Sequence, residues 1–540
     1  MATDPLLSSQ GRLLEPMEGV VDYRGRPASR SASGGWSSVL FIIGVEIAER
    51  FAYYGVSANL ISFLTGPLHE STATAAASVN VWSGVASMLP LLGAFVADSY
   101  MGRYRTVVVA SLLYILSLGM LTFSAALPSL HPPDCGVDAV DTSSSCPPSA
   151  LKVAIFYFSL YLMAVAQGGH KPCVQAFGAD QFDENDPQES VARSAFFNWW
   201  YFGLCFGTLA TVTILNYIQD NLGWALGFGI PCAVMLCALA LLLMGTTTYR
   251  FYPFKEQSPF ARTAKALTAV ARNRWSDSSE RHEAVNAEHL AEAKGLLRLF
   301  PIWATCLFYA VVFAQWSTLF TKQGSTMDRR IGSKFVVPPA ALQSFISVSI
   351  IAFIPIYDRI LVPAARKFSK LPSGITMLQR IGAGMVISLL SMAIAAVVEM
   401  KRLRTAREFG LVDQPKAMIP MSLWWLVPQY VLTGIADVFT MVGLQEFFYD
   451  QVPEALRSLG LAFYLSIFGV GSFISGFLIS VIDKTTRKGG DSWFSNNLNR
   501  AHLDYFYLLL AGLSAVELLL FVYFARAYVY QKKASVVLQP

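Results

Sequence analysis

Positions 44–55 read Gly-Val-Glu-Ile-Ala-Glu-Arg-Phe-Ala-Tyr-Tyr-Gly, which sets two acids and a guanidinium inside an otherwise apolar run. Glu46, Glu49, Arg50 and Tyr53 are related as i, i+3, i+4 and i+7, so a helix presents them on one face. Two carboxylates beside one guanidinium leave a formal negative charge that a proton can neutralise. Burial and like-charge proximity both favour the neutral form. That is the chemistry of a proton-coupling site. The competing reading is a structural ion cluster that locks the helix in place, but such a cluster has no need of the second acid.

Other ionisable residues sit where the chain is apolar. Gly168-Gly169-His170-Lys171-Pro172 follows an apolar run that starts at Ile155. A lysine at this depth wants a carboxylate or an anionic ligand, unless it snorkels to the interface. Asp437 and Glu446 are nine residues apart and fall on nearly opposite helix faces, so only one readily lines a shared cavity. Glu446, in Gln445-Glu-Phe-Phe-Tyr449, lies close to a helix end, where an acid can also be simply solvated. Asn80, Asn198, Trp199, Gln315, Trp316, Gln343 and Tyr464 are supporting candidates for a cavity lining. Hydrogen bonding between packed helices explains each of them taken alone.

These residues need helices that cross a bilayer, and the composition supplies them. The 540 residues are 54% hydrophobic and 14% charged, too apolar for a soluble chain of this length. Apolar runs long enough to span hydrocarbon fall near 38–64, 78–97, 104–127, 151–178, 194–218, 223–246, 298–320, 338–361, 376–399, 420–447, 457–482 and 503–529. Twelve spans put both termini on one side. Arg103 and Arg105 follow the second span, and Arg359, Arg366, Lys367 and Lys370 follow the eighth. Loops 65–77, 128–150 and 219–222 have no Lys or Arg, which places the N-terminus inside.

The expected organisation is a disordered cytosolic tail over 1–35, a six-helix bundle over 36–246, a charged cytosolic linker over 247–297, a second bundle over 298–530 and a short tail over 531–540. The net charge of +5 is small and sits in loops and tails, which argues against nucleic acid as a partner. Five of seven cysteines lie in apolar runs without metal spacing, and neither metal nor cofactor is expected. Cys135 and Cys146 share a polar loop and can form a disulfide if that loop faces an oxidising space. No HExxH motif, serine elbow or paired metal ligands suggest an enzyme.

Several stretches together resemble one family. Glu46-x-x-Glu49-Arg50-Phe51-x-Tyr53-Tyr54-Gly55 is similar to the first-helix signature of the proton-coupled oligopeptide transporters. Asn80-Val-Trp-Ser-Gly84, Gly93-Ala-Phe-Val-Ala-Asp98 with Gly102-Arg103-Tyr104, and Phe177-Gly-Ala-Asp-Gln-Phe-Asp183 resemble its plant nitrate/peptide branch. Pro301-Ile-Trp303 and Gly443-Leu-Gln-Glu-Phe-Phe-Tyr-Asp-Gln-Val-Pro453 carry the match through the second half. The resemblance implies an all-α membrane protein with the major facilitator fold, twelve transmembrane helices in two six-helix bundles. It implies symport of a small solute with protons by alternating access, the solute being nitrate, a peptide, a hormone or another organic anion.

In residues, the resemblance makes Glu46, Glu49 and Arg50 the proton-coupling group. It makes Lys171 a fourth-helix lysine, and Glu446 a tenth-helix acid able to pair with it as a gate. Nitrate carriers of the branch have a histidine in the seventh helix, in a Thr-Val-His-Ala-Gln context. Here the stretch reads Val311-Val312-Phe313-Ala314-Gln315, and a phenyl ring cannot donate a hydrogen bond to nitrate. Nitrate would then rest on Lys171 or Arg50. A proton-independent uniporter or exporter and a transporter-like sensor remain open, and so do the plasma membrane and the vacuolar membrane.

Overall fold

The computed structural model describes residues 16–126, 149–183, 186–252, 298–332, 335–369, 375–452, 457–488 and 491–528. The Cys135–Cys146 pair, residues 253–297 of the linker and the tail from 529 lie outside them. Helices occupy all twelve expected spans. They are α1 (Gly35–Ser57), α2 (Thr72–Met101), α3 (Arg103–Ala126), α4 (Ala150–Ala179), α5 (Pro187–Ala210) and α6 (Trp224–Thr247) in the first half. The second half has α7 (Arg298–Phe313), α8 (Pro339–Lys367), α9 (Met377–Glu408), α10 (Leu423–Tyr449), α11 (Arg457–Arg487) and α12 (Leu503–Ala527). Among the described residues, nine helices are long and apolar enough to cross a membrane; α1, α5 and α7 are the other three.

The chain divides into two compact units. The first holds residues 1–258 together with 317–325 and 329–347, and the second holds 259–316, 326–328 and 348–540. Two stretches expected in the C-terminal bundle therefore belong to the first unit. Side chains explain why: Gln343 Nε2 donates to the Ala58 carbonyl at 2.9 Å, and Lys322 Nζ to Thr65 Oγ1 at 2.9 Å.

In the first unit α1 packs on α5 and α6, and α4 packs on α2 and α3. The α2–α4 contact depends on glycine. A Cβ added at Gly93 would lie 1.9 Å from the Gly168 carbonyl oxygen, so the backbones meet with no side chain between them. Gly93→Ala should destabilise the protein by roughly 1–3 kcal/mol in thermal unfolding, as overpacking does. Gly119→Ala, whose Cβ meets nothing within 4 Å, is the control that should leave unfolding unchanged. The turn between α2 and α3 is Gly102, whose φ of 78° strains other residues. Arg103 beyond it is held by Asp180 at 2.6 Å.

Three expectations need correction. Residues 16–35 are not a disordered tail. Pro16–Val21 pairs antiparallel with Pro27–Ser29, and Asp22 Oδ1 accepts from the backbone N–H of Arg24 and Arg26 to close the turn. Arg30 then bridges Asp183 and Asp186 at 2.5 Å each, and Gly34 N–H donates to the Thr248 carbonyl. Scattered arginines in a polar stretch look solvated until their acids arrive from elsewhere in the chain.

The seventh span is not one continuous helix over 298–320. It breaks at 305–306, and again at 314–318 before Leu319–Ser325. Side chains take up the groups the breaks release: Thr305 Oγ1 donates to the Pro301 carbonyl, and Gln315 Nε2 to that of Val311. Finally, residues 400–408, expected in a loop, continue α9. Arg402 there is fully buried against Glu399 one turn earlier, so its charge is not loop charge at all.

Candidate functional site

In the first unit the acids and the guanidinium of α1 form one buried cluster. Arg50 Nε lies 3.0 Å from Glu46 Oε1, and Arg50 Nη2 lies 2.5 Å from Glu49 Oε2. The i,i+4 spacing brings Glu46 to Arg50, and Glu49 folds back from the adjacent position. All three are at most 3% exposed. From α3, Tyr114 donates its hydroxyl to Glu49 Oε1 at 2.7 Å, while Glu49 Oε2 lies beside the Arg50 guanidinium and accepts no hydrogen bond among the described residues. Gly207 of α5 leaves room for the Arg50 stem, since a Cβ there would lie 3.3 Å from Arg50 Cβ.

Tyr53, one turn on, stacks on Trp82 of α2 with ring centroids 5.6 Å apart, and the Arg50 guanidinium sits 5.9 Å from its ring centre. Trp82 is fixed by its own Nε1–H, which donates to the Leu160 carbonyl on α4 at 2.9 Å. Asn80 is buried on α2. Asn198 lies on α5, and its side chain is outside what is described; Trp199 beside it is 57% exposed.

Helix α4 adds two residues. Lys171 is partly buried and close enough to Glu46, Glu49 and Arg50 to interact electrostatically, yet it forms no ion pair or hydrogen bond among the described residues. His170 is fully buried, both ring nitrogens lack hydrogen-bond partners, and its ring meets Tyr114 edge-on at 6.0 Å. Donor atoms of Glu46, Glu49 and His170 lie within 4.8 Å of one another. Arg50 already bridges both carboxylates, so a divalent cation would have to displace it beside a second cation, Lys171. The donor set suits a proton better. The part played by Tyr114 had no local signal, because on α3 it stands at helical spacing from no other residue of the cluster.

The second unit holds the remaining candidates. Gln315 is fully buried at the second break of the seventh span and donates to Ser475 Oγ at 2.9 Å. Phe313 is half-buried with its ring edge-on to Phe468 at 5.3 Å, and Tyr464 meets the same ring at 5.5 Å. Glu446 is 47% exposed at its side chain and lies 3.6 Å from Arg380 of α9. Asp437, on the other face of α10, is buried and accepts the Tyr309 hydroxyl at 2.6 Å. The opposed faces expected for these two acids match their unequal exposure.

Comparisons with known proteins fit this arrangement. The family described as PTR2: POT family matches residues 104–494. The chain is 60% identical over 543 residues to Protein NRT1/ PTR FAMILY 5.10 of Arabidopsis thaliana, covering 95% of this chain and 96% of that protein. It is 52% identical over 545 residues to Protein NRT1/ PTR FAMILY 5.16 of the same plant, with 95% and 96% covered. Among solved structures, an auto-inhibited POT family peptide transporter superposes with a TM-score of 0.72 at 21% identity, covering 92% of this chain and 98% of that one. The POT family transporter PepTSo does so with a TM-score of 0.69 at 21% identity, covering 91% and 98%.

Proposed function

The chain belongs to the plant NRT1/PTR branch of the POT family of membrane transporters, and from that premise we propose that it is a proton-coupled symporter of a small anion. It is an integral multi-pass membrane protein of a transporter family and not of an enzyme family. The observation that carries the proposal is the charge balance between α1 and α4. Glu46 and Glu49 bring two negative charges, and Arg50 and Lys171 bring two positive ones. A proton taken up by either carboxylate leaves Lys171, which has no ion pair of its own among the described residues, uncompensated. An anionic solute restores neutrality where net charge is costly.

Proton and anion therefore favour each other's binding, and such coupling is reciprocal. In this reading the Glu46–Glu49 pair holds the proton beside Arg50, and Lys171 meets the anion. Tyr53, Asn80, Asn198, Gln315, Phe313 and Tyr464 remain candidates for the lining, and Glu446 keeps the gating role that the resemblance implies. Nitrate and small organic carboxylates both fit the charge requirement.

The test is uptake by the purified chain in proteoliposomes, with labelled nitrate and a labelled dipeptide, under an imposed proton gradient of either sign. Accumulation of nitrate that follows the gradient supports the proposal. Uptake indifferent to the gradient would establish a uniporter, and binding without uptake would establish a sensor. Lys171→Ala should lower anion uptake by at least about tenfold, equivalent to about 1.4 kcal/mol, with the reconstituted amount unchanged. Lys171→Arg should keep part of the activity, because it retains the charge. Loss of folded protein in Lys171→Ala would instead make the lysine structural.

A further inference from the structure

Helix α4 carries a second polar residue on the face that holds Lys171. Gln167 stands four residues earlier, one turn away and about 6 Å along the helix axis. Gly168 and Gly169, between the two, turn to the packed side. A Cβ at Gly168 would lie 2.7 Å from Leu89 Cβ of α2, and one at Gly169 would lie 3.3 Å from Ala110 Cβ of α3. The face left toward α1 presents Gln167 and Lys171 together.

Gln167 is 2% exposed, and its amide is hydrogen-bonded to the Tyr53 hydroxyl on α1. Its carbonyl Oε1 is buried and accepts nothing among the described residues. The amide NH2 therefore donates the bond to Tyr53, and Oε1 is left as an acceptor without a donor. The donors of the surrounding cluster are committed elsewhere. Arg50 lies against Glu46 and Glu49, Tyr114 donates to Glu49, and Trp82 donates to the Leu160 carbonyl. An unpaired buried acceptor is costly, so a solute beside Lys171 gains by bringing it a hydrogen.

Nitrate has no hydrogen to give. An anion that also carries an O–H or N–H does, provided its two ends lie about one helical turn apart. Charge decides between those donors. With one proton on the α1 acids, Arg50 and Lys171 exceed the remaining carboxylate by one positive charge, which a monoanion cancels. A zwitterion brings no net charge and sets an ammonium beside two cations already there. A hydroxyl donates its hydrogen without that penalty.

We propose that Gln167 and Lys171 form a two-point subsite that selects a hydroxycarboxylate, its carboxylate on Lys171 Nζ and its hydroxyl donated to Gln167 Oε1. Tyr53 is the positioning residue, because its bond to the amide NH2 turns Oε1 free. The proposal rests on the anion-binding role of Lys171 in the proton-coupled reading, and it adds a preference that charge alone does not set.

The test is binding to the purified full-length protein by titration calorimetry at mildly acidic pH, with 4-hydroxybutyrate, butyrate, 4-aminobutyrate and nitrate. The first three share a carboxylate and a carbon chain and differ only at the far end. 4-Hydroxybutyrate should bind at least about tenfold tighter than each of the others, because only it pairs Oε1 without adding a cation. In Gln167→Leu the preference for 4-hydroxybutyrate over butyrate should fall to about one. A merely structural role for Gln167 would weaken both ligands and keep their ratio. Lys171→Ala should weaken the two alike, since they bring the same carboxylate. A wild-type ratio near one overturns the proposal, and so does a ratio that survives in folded Gln167→Leu or equally tight binding of 4-aminobutyrate. If Gln167→Leu does not fold, the wild-type ratios decide alone. Nitrate binding tightest of the four overturns the subsite and leaves the proton-coupled anion reading standing. Affinities that do not change in folded Lys171→Ala sink the reading of Lys171 on which the subsite rests.

Discussion

Glu49→Gln is expected to abolish concentrative uptake while leaving solute exchange across the membrane partly intact. A proton gradient of about one pH unit is worth about 1.4 kcal/mol, so a carrier coupled to one proton can concentrate solute about tenfold. The variant should fall to a ratio of about one. Glutamine keeps the carbonyl oxygen that accepts from Tyr114, so the α1–α3 contact survives. It cannot ionise, and its amide meets Arg50 with a donor where the carboxylate oxygen stood at 2.5 Å. The balance of two acids against Arg50 and Lys171 is then permanently that of the protonated state. Anion binding should persist, and its dependence on pH should disappear. The measurement is labelled-anion accumulation and counterflow in proteoliposomes, with thermal unfolding as the control for folding. Equal loss of accumulation and counterflow in a folded variant would mean that the cluster is structural.

The largest stability effect is expected at Arg402. Its side chain is fully buried and uses its whole fork: Nε donates to Glu399 Oε2 at 2.8 Å and Nη2 to Glu399 Oε1 at 2.6 Å. Nη2 also reaches the Leu498 carbonyl at 2.7 Å, and Nη1 reaches Asn499 Oδ1 at 3.0 Å. These bonds tie the end of α9 to the segment that precedes α12. Arg402→Ala strands a buried carboxylate and a buried carbonyl, which should cost roughly 3–5 kcal/mol. Replacing both members, Arg402→Met with Glu399→Leu, should recover most of that loss, because a buried pair is often no more stable than apolar residues of similar size. Thermal unfolding of the single and double variants checks both statements. A single variant as stable as the wild type would mean that Glu399 is not held as a charge.

Much of this protein could be read from local order along the chain. A run of twenty apolar residues is a helix in a bilayer whatever surrounds it, because lipid offers the backbone no other partner. Eleven of the twelve spans therefore sit where hydropathy put them, with ends that differ by up to nine residues, and α7 differs by its breaks. The Glu46–Arg50 pair was legible for the same reason, since four residues is one turn of one helix. The motifs over 44–55, 177–183 and 443–453 carried the family.

Contacts between elements were not legible, because the spacing of residues within one helix says nothing about which face of another it meets. Only packing brought Tyr114, His170 and Lys171 to the two acids, and so turned an excess of negative charge into a balanced cluster. Arg30 and Arg402 looked like solvated loop charges until tertiary structure supplied Asp183, Asp186 and Glu399. The break in α7 has no proline at 305–306 to announce it. It stands because Glu517, from a helix two hundred residues later in sequence, accepts the N–H that the break exposes. Asp437 shows the division most plainly: its sequence position said only that an acid lay in an apolar run, and packing alone brought the Tyr309 hydroxyl to it.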